Sequence, residues 1–184
     1  MIFLNKLSNY EVKTLLIECR AELQDIKHIL SKNIKFNKQT KYLTNYSIIK
    51  ACSTIEFCYK KTIADYFDHN QNIFIKNFIS NKLRHDSSNP SIAIINNSLK
   101  SFGDQYNDEF NKRIKCNRKI YEKSLTKLRE ARNKVAHGEN ITVTVDFVIT
   151  HFQISREIII HLDNSLKDSN SLTNPPYFLD CIKS

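Results

Sequence analysis

At 184 residues, with 41% hydrophobic and 26% charged side chains, the chain has apolar material for one buried core and too much of it for a disordered polymer. No apolar run approaches the roughly 20 residues that cross a bilayer, and the opening MIFLNKLSNY has too short an apolar stretch for a signal peptide, so one domain over residues 1–184, in the cytoplasm, is expected. Lys and Arg number 28 against 19 Asp and Glu, a formal charge of +9, which favours a polyanionic partner such as nucleic acid, with a merely solvated lysine-rich surface as the alternative.

Two glycines and three prolines leave room for long helices and few tight turns, and no internal repeat is present. The spacing predicts a first helix over 9–31, with Val12, Leu15, Leu16, Cys19, Leu23, Ile26 and Leu30 on one apolar stripe. The lysine-rich loop KNIKFNKQTK follows. A second helix is predicted over 41–69, with Ile48, Cys52, Ile55, Tyr59, Ile63 and Phe67 at helical spacing, then a shorter helical segment over 73–83. After the polar RHDSSNPS, Asn89 is the expected N-cap and Pro90 the first helical residue. Ile92, Ile95, Leu99 and Phe102 form the inner face of that helix, and Gly103 is expected to close it as a left-handed residue.

A weak helix over 105–114 leads to one over 117–137, which Gly138 is expected to close in the same way. NITVTVDFV alternates briefly like a strand. However, Val145, Val148, Phe152, Ser155, Ile159, Leu162 and Leu166 keep a three-four spacing, so a helix from Val145 is preferred. The closing SLTNPPYFLDCIKS is expected to be a non-helical tail whose Tyr177, Phe178 and Leu179 pack on the body or on a partner. The fold class is therefore all-α, an antiparallel helical bundle with its core at about 9–167 and a short non-helical C-terminal tail over 168–184.

The five cysteines, Cys19, Cys52, Cys58, Cys116 and Cys181, are odd in number and form no C-x-x-C pair, so buried free thiols are expected. His28, His69, His85, His151 and His161 are scattered without the paired spacing of a metal site and are expected on surfaces or helix flanks. No metal and no cofactor is expected.

The string RNKVAHG, residues 132–138, carries the chemistry. On a helical wheel Arg132 falls within an inner stripe of Tyr121, Leu125, Leu128 and Val135. A permanent charge there is costly unless it lines a cleft or makes a buried Arg–carboxylate pair that fixes the bundle. Asn133 and His137 are four residues apart and share a face displaced from that of Arg132. A long Arg side chain, a distorted last turn or a second copy across a two-fold axis is needed to bring the three together. His137 lies where the helix dipole favours imidazolium and burial opposes it. It can serve as a general acid or base near neutral pH, or simply cap the helix.

Glu56 sits at the border of the apolar face of the second helix, placed either to pair with Lys60 or to hold the rotamer of Arg132. Between positions 112 and 134 lie Lys112, Arg113, Lys115, Arg118, Lys119, Lys123, Lys127, Arg129, Arg132 and Lys134, against only Glu122 and Glu130. Arg118, Lys127, Arg129 and Lys134 are the expected contacts to a phosphodiester backbone.

RNKVAHG, preceded by KLREA, resembles the signature of the HEPN superfamily, an Arg-x-x-x-x-His spacing with Asn after the Arg. STIEFCYK with Ser53 and Glu56, the stretch NPSIAIINNSLKSFG, and an amphipathic helix after the His-Gly resemble its RiboL-PSP-type branch, over roughly residues 9–166. The resemblance implies a HEPN-type bundle and a metal-independent endoribonuclease of toxin–antitoxin, abortive-infection or other antiphage systems. It implies Arg132 and His137 as catalytic residues, Asn133 as a supporting polar group and Glu56 as an accessory acid. It also implies a site shared by a homodimer and cleavage through a 2′,3′-cyclic phosphate. RNA is the implied partner, with tRNA, mRNA and phage transcripts all open, beside an antitoxin or defence-system protein; no membrane is implied. Position 139 is Glu, where some members carry a tyrosine, so silencing by adenylylation of that residue is not expected. A non-catalytic HEPN module that binds RNA or a partner protein, and a scaffold in which Arg132 and Glu56 make only a structural ion pair, are the alternatives.

Overall fold

A computed structural model describes residues 7–32, 38–69, 71–84 and 89–173, with side chains to 169. The expectations for residues 33–37, for His85 and for Tyr177, Phe178, Leu179 and Cys181 lie outside the described residues. In chain order the elements are α1 (Tyr10–Lys32), α2 (Lys38–Asp68), α3 (Ile73–Ile79), α4 (Ile92–Lys100), α5 (Asp104–Ile114), α6 (Arg118–Ala136) and α7 (Val145–Thr173). A wider π-helical turn, Ser80–Arg84, extends α3, and a 3-10 turn, Lys115–Asn117, joins α5 to α6. No strand occurs among the described residues, and NITVTV runs as plain coil into α7. The all-α bundle expected from the spacing is thus the observed architecture.

Side-chain ties fix the directions of the helices. Lys27 meets Asp146 at 2.5 Å, and the Ser8 amide donates to Asp163 at 3.1 Å, so α1 runs antiparallel to α7. Lys50 meets Glu22 at 2.8 Å, while Cys58 approaches the Val12 carbonyl at 4.0 Å, so α1 is also antiparallel to α2. Helices α2 and α7 run parallel, tied at one end by Lys41 to Asn140 (2.9 Å) and at the other by the Tyr66 hydroxyl to the Leu166 carbonyl (2.6 Å). With α6 they enclose the core, in which Leu16, Ile48, Ile55, Ile63, Phe152, Ile159 and Leu162 are fully buried. Leu15 and Leu30, placed on the α1 stripe, sit at its margin.

Helices α3 and α4 cover one end of α2, and α5 packs along α7 beside them. Phe67 stacks on Phe102 with centroids 3.9 Å apart, and Tyr106 meets Phe67 edge-on at 4.9 Å. Arg84 closes this end on Asp65 (2.7 Å) and Asp68 (2.5 Å).

Several boundaries differ from expectation. Helix α2 starts at Lys38 rather than 41. The cap of α4 is Ser91, not Asn89: its backbone is extended and its hydroxyl accepts from the Ile94 amide at 3.2 Å, which leaves the buried Pro90 outside the helix. Gly103 does follow α4, and its amide donates to the Leu99 and Lys100 carbonyls, each at 3.2 Å. Its φ of +144° and ψ of 143° are not left-handed helical values, however, and it opens α5. The tail begins later than 168, because α7 continues to Thr173. The buried Ser165 and Ser169 turn their hydroxyls onto the Leu162 and Ser165 carbonyls (2.7 and 2.8 Å), so polar residues that look like loop stay helical.

Candidate active site

Helix α6 carries the motif and is registered by its buried stripe of Tyr121, Ser124, Leu125, Leu128 and Ala131. Leu128 lies against α2, where the Cys52 thiol donates to the Leu128 carbonyl at 3.2 Å. On the other side α6 meets α7 through polar pairs. The Tyr121 hydroxyl donates to Glu157 at 3.1 Å and lies 3.1 Å from His161 Nε2, and Ser124 Oγ lies 3.1 Å from His151 Nδ1. His151 and His161 are therefore half-buried seam residues rather than surface histidines. Burial pushes both imidazoles below their ordinary range.

The buried stripe ends at Ala131, and the last turn of α6 leaves the core. Arg132 is consequently half-buried at the rim instead of lying mid-stripe, and Val135 is only partly covered. The guanidinium contacts Asn133, from Nη1 to Oδ1 at 3.5 Å, and makes no ion pair among the described residues. The structural Arg132–Glu56 pair is thus not formed. Glu56 meets Lys60 instead, at 2.5 Å. Both Arg132 and Glu56 flank Cys52. Burial pushes that thiol up to about 12, the Arg132 charge pulls against this, and the Glu56 charge adds to it.

The C-terminus of α6 is closed by backbone alone. The Gly138 amide donates to the Val135 carbonyl at 3.0 Å and the Glu139 amide to that of Lys134 at 2.9 Å, with Gly138 left-handed at φ +71°. The His137 amide donates to the Asn133 carbonyl at 3.0 Å, and the His137 side chain is exposed, with no hydrogen bond among the described residues. Five residues along an α-helix place Arg132 and His137 about 140° apart around the axis, with Asn133 between them. One chain therefore spreads the three groups over the helix tip.

The four basic residues expected to meet phosphate differ in availability. Arg118 is held by Glu122 within α6 (2.8 Å) and by Asn111 (2.7 Å), the second of which pins the start of α6 to α5. Lys127 meets Glu130 at 3.4 Å on an exposed face. Arg129, half-buried, and Lys134, exposed, have no partner among the described residues. Beyond α6, the outer face of α2 that carries Ser53 and Glu56 exposes Tyr42, Ile49 and Phe57, at 66%, 47% and 50%. This is an apolar band that no element covers among the described residues.

Cys19, Cys52 and Cys58 are buried free thiols, as expected, whereas Cys116 is exposed. Among the described residues no group of three His, Cys, Asp or Glu is disposed to hold a metal ion, and no helix is long and apolar enough to cross a membrane. The family model described as RiboL-PSP-HEPN matches residues 14–168, from within α1 almost to the end of α7, and so spans the whole motif helix. No curated protein and no solved structure matches the chain.

Proposed function

The chain belongs to the RiboL-PSP-HEPN family, and on that premise we propose that it is a metal-independent endoribonuclease acting as a toxin or antiphage-defence effector. The observation that carries this reading is the tip of α6. It leaves Arg132, Asn133 and His137 half-buried or exposed around one helix end, and the guanidinium has no carboxylate partner among the described residues. An arginine kept only for structure is normally paired; one left unpaired at a rim is available to a phosphate.

In this proposal the RNA 2′-hydroxyl attacks the neighbouring phosphorus, a 2′-O–P bond forms, and the P–O5′ bond breaks. His137 takes the proton of the attacking hydroxyl or returns one to the departing 5′-oxygen. Arg132 stabilises the charge that accumulates on the non-bridging oxygens. Asn133 orients the guanidinium, and Lys127, Arg129 and Lys134 guide the backbone. Two copies packed along the apolar band of α2 would face two such tips towards each other, and this is how a homodimer would gather groups that one helix spreads apart. The same spread favours the second reading, a non-catalytic module that binds RNA or a partner protein.

Incubation of the purified protein with total tRNA and a mixed-sequence RNA in EDTA, beside His137→Ala, separates the readings. Cleavage by the wild type alone, leaving cyclic-phosphate ends, is expected. Binding without cleavage by a folded dimer would favour the module.

A further inference from the structure

Between one flank of α6 and the segment that returns from Gly138 to α7 lies a cavity of about 180 Å³, with Lys127, Glu130, Lys134, Asn140, Thr142 and Phe147 among its walls. Glu130 is held by Lys127 at 3.4 Å, which leaves Lys134 as the lysine without a partner among the described residues. It is smaller than the ~300–1,000 Å³ of sites for drug-sized ligands, so its size suits a single ring system. Its returning wall is fixed. Lys41 donates to the Asn140 side chain at 2.9 Å, and the Thr144 hydroxyl accepts from the Phe147 amide at 3.3 Å, capping α7. Phe147 is braced edge-on by His151, with centroids 4.4 Å apart, and His151 is itself held by Ser124. The aromatic wall is therefore set before any ligand arrives. Lys127, Ala131 and Lys134 share one face of α6, and His137, three residues past Lys134, continues that face.

An aromatic ring, the apolar Ala131, Ile141 and Val143, an amide and a hydroxyl, and the ammonium of Lys134 together match a nucleobase and its phosphate. We infer that this cavity is a nucleotide subsite: it takes one base of a single-stranded RNA against Phe147, with that nucleotide's phosphate on Lys134, beside the phosphodiester offered to His137. The inference rests on the ribonuclease reading and adds to it where the substrate is gripped.

The test is binding of two labelled oligonucleotides of equal length, a mixed-sequence RNA and its abasic counterpart. The protein is the full chain with His137→Ala, which prevents cleavage, with and without Phe147→Leu. Phe147→Leu is expected to weaken the normal RNA about tenfold, as loss of one base–aromatic stack does, and to leave the abasic RNA unaffected. An equal effect on both, or on neither, overturns the subsite while leaving the ribonuclease reading in place. Failure of the parent to bind either RNA overturns both. If melting shows that Phe147→Leu does not fold, Lys134→Gln at an exposed position carries the test. Its slope of log affinity against log salt is expected to be shallower by about 0.7, the value of one lost single-strand phosphate contact; an unchanged slope overturns the assignment.

Discussion

The Cys52 thiol donates to the Leu128 carbonyl across 3.2 Å, and Arg132 stands one helical turn beyond that contact. The position of the catalytic candidate is thus set by core packing between α2 and α6, with Leu128 buried at the joint. Leu128→Ala is expected to cost ~2–5 kcal/mol, the range for a buried leucine whose site cannot collapse. It should also lower RNA cleavage per folded molecule, because the rim carrying Arg132 loses its support. Urea unfolding and single-turnover cleavage on the same preparation check both.

His137→Ala removes an exposed side chain with no hydrogen bond among the described residues, so stability should change by no more than ~0.5 kcal/mol. Cleavage should fall by about 10²–10⁴, the usual worth of a positioned acid–base group. Arg132→Lys keeps the charge and loses the planar fork, so it should also lose most activity. Thermal melts beside cleavage assays read this out. A sharp drop in melting temperature for either variant would mark a structural role.

Glu56 tests whether the accessory acid is chemical or structural. Its partner Lys60 has a side chain only 7% exposed, while Glu56 is 24% exposed. Glu56→Gln removes a countercharge from a buried ammonium, which costs ~3–5 kcal/mol for a fully buried pair and is expected to cost ~1–3 kcal/mol here, where solvent reaches the carboxylate. Cleavage by the folded fraction should fall less than tenfold. A loss matching that of His137→Ala would place Glu56 in the chemistry.

Much of this is legible in the sequence alone. The stripes of α1 and α7 follow from spacing almost residue for residue, because long amphipathic periods dominate there. So does the divergence of Arg132 from His137, which follows from helix geometry alone. What escapes is tertiary. A helical wheel shows a stripe but not where the helix leaves the core, so it puts Arg132 mid-stripe although burial stops at Ala131. His151 and His161 look like solvent histidines in one dimension, yet Ser124 and Tyr121 face them across the α6–α7 seam. The cavity beside Phe147 has no signal in the sequence, since it depends on the path of residues 139–144, which lack helical periodicity.

Gly138 is left-handed at φ +71°, and an added Cβ would meet nothing within 4 Å. The cost of Gly138→Ala is therefore purely conformational, ~1–2 kcal/mol. Gly138→Asn should cost less, since asparagine tolerates that region. Both variants should shift the melting temperature only by several degrees. Cleavage by Gly138→Ala should suffer more than its stability, because the turn follows directly on His137 and starts the wall that carries Asn140. Equal activity at a temperature where both variants are folded would show that the turn merely ends the helix.

The α6–α7 seam should make stability fall on mild acidification. Burial lowers the His151 imidazole from the ordinary 6.5, with Lys123 and Lys127 adding to the effect. At His161 burial dominates, Glu157 opposes it and Arg113 assists. A histidine with a folded-state pKa below its unfolded value binds fewer protons when folded, so stability is intact above the unfolded pKa and lost as pH drops through it. Glu22 and Asp65, whose pKa values lie below the ordinary 4.5 and 3.8, titrate further down. Their hydrogen bonds (Lys50 and Tyr46 on Glu22; Arg84, Lys61 and Asn9 on Asp65, against its burial) keep them ionised through this window. Melting temperature should therefore decline between about pH 7 and about pH 5.5, and the double variant His151→Gln, His161→Gln should flatten that decline. An unchanged slope would show that protonation of the seam is not coupled to unfolding.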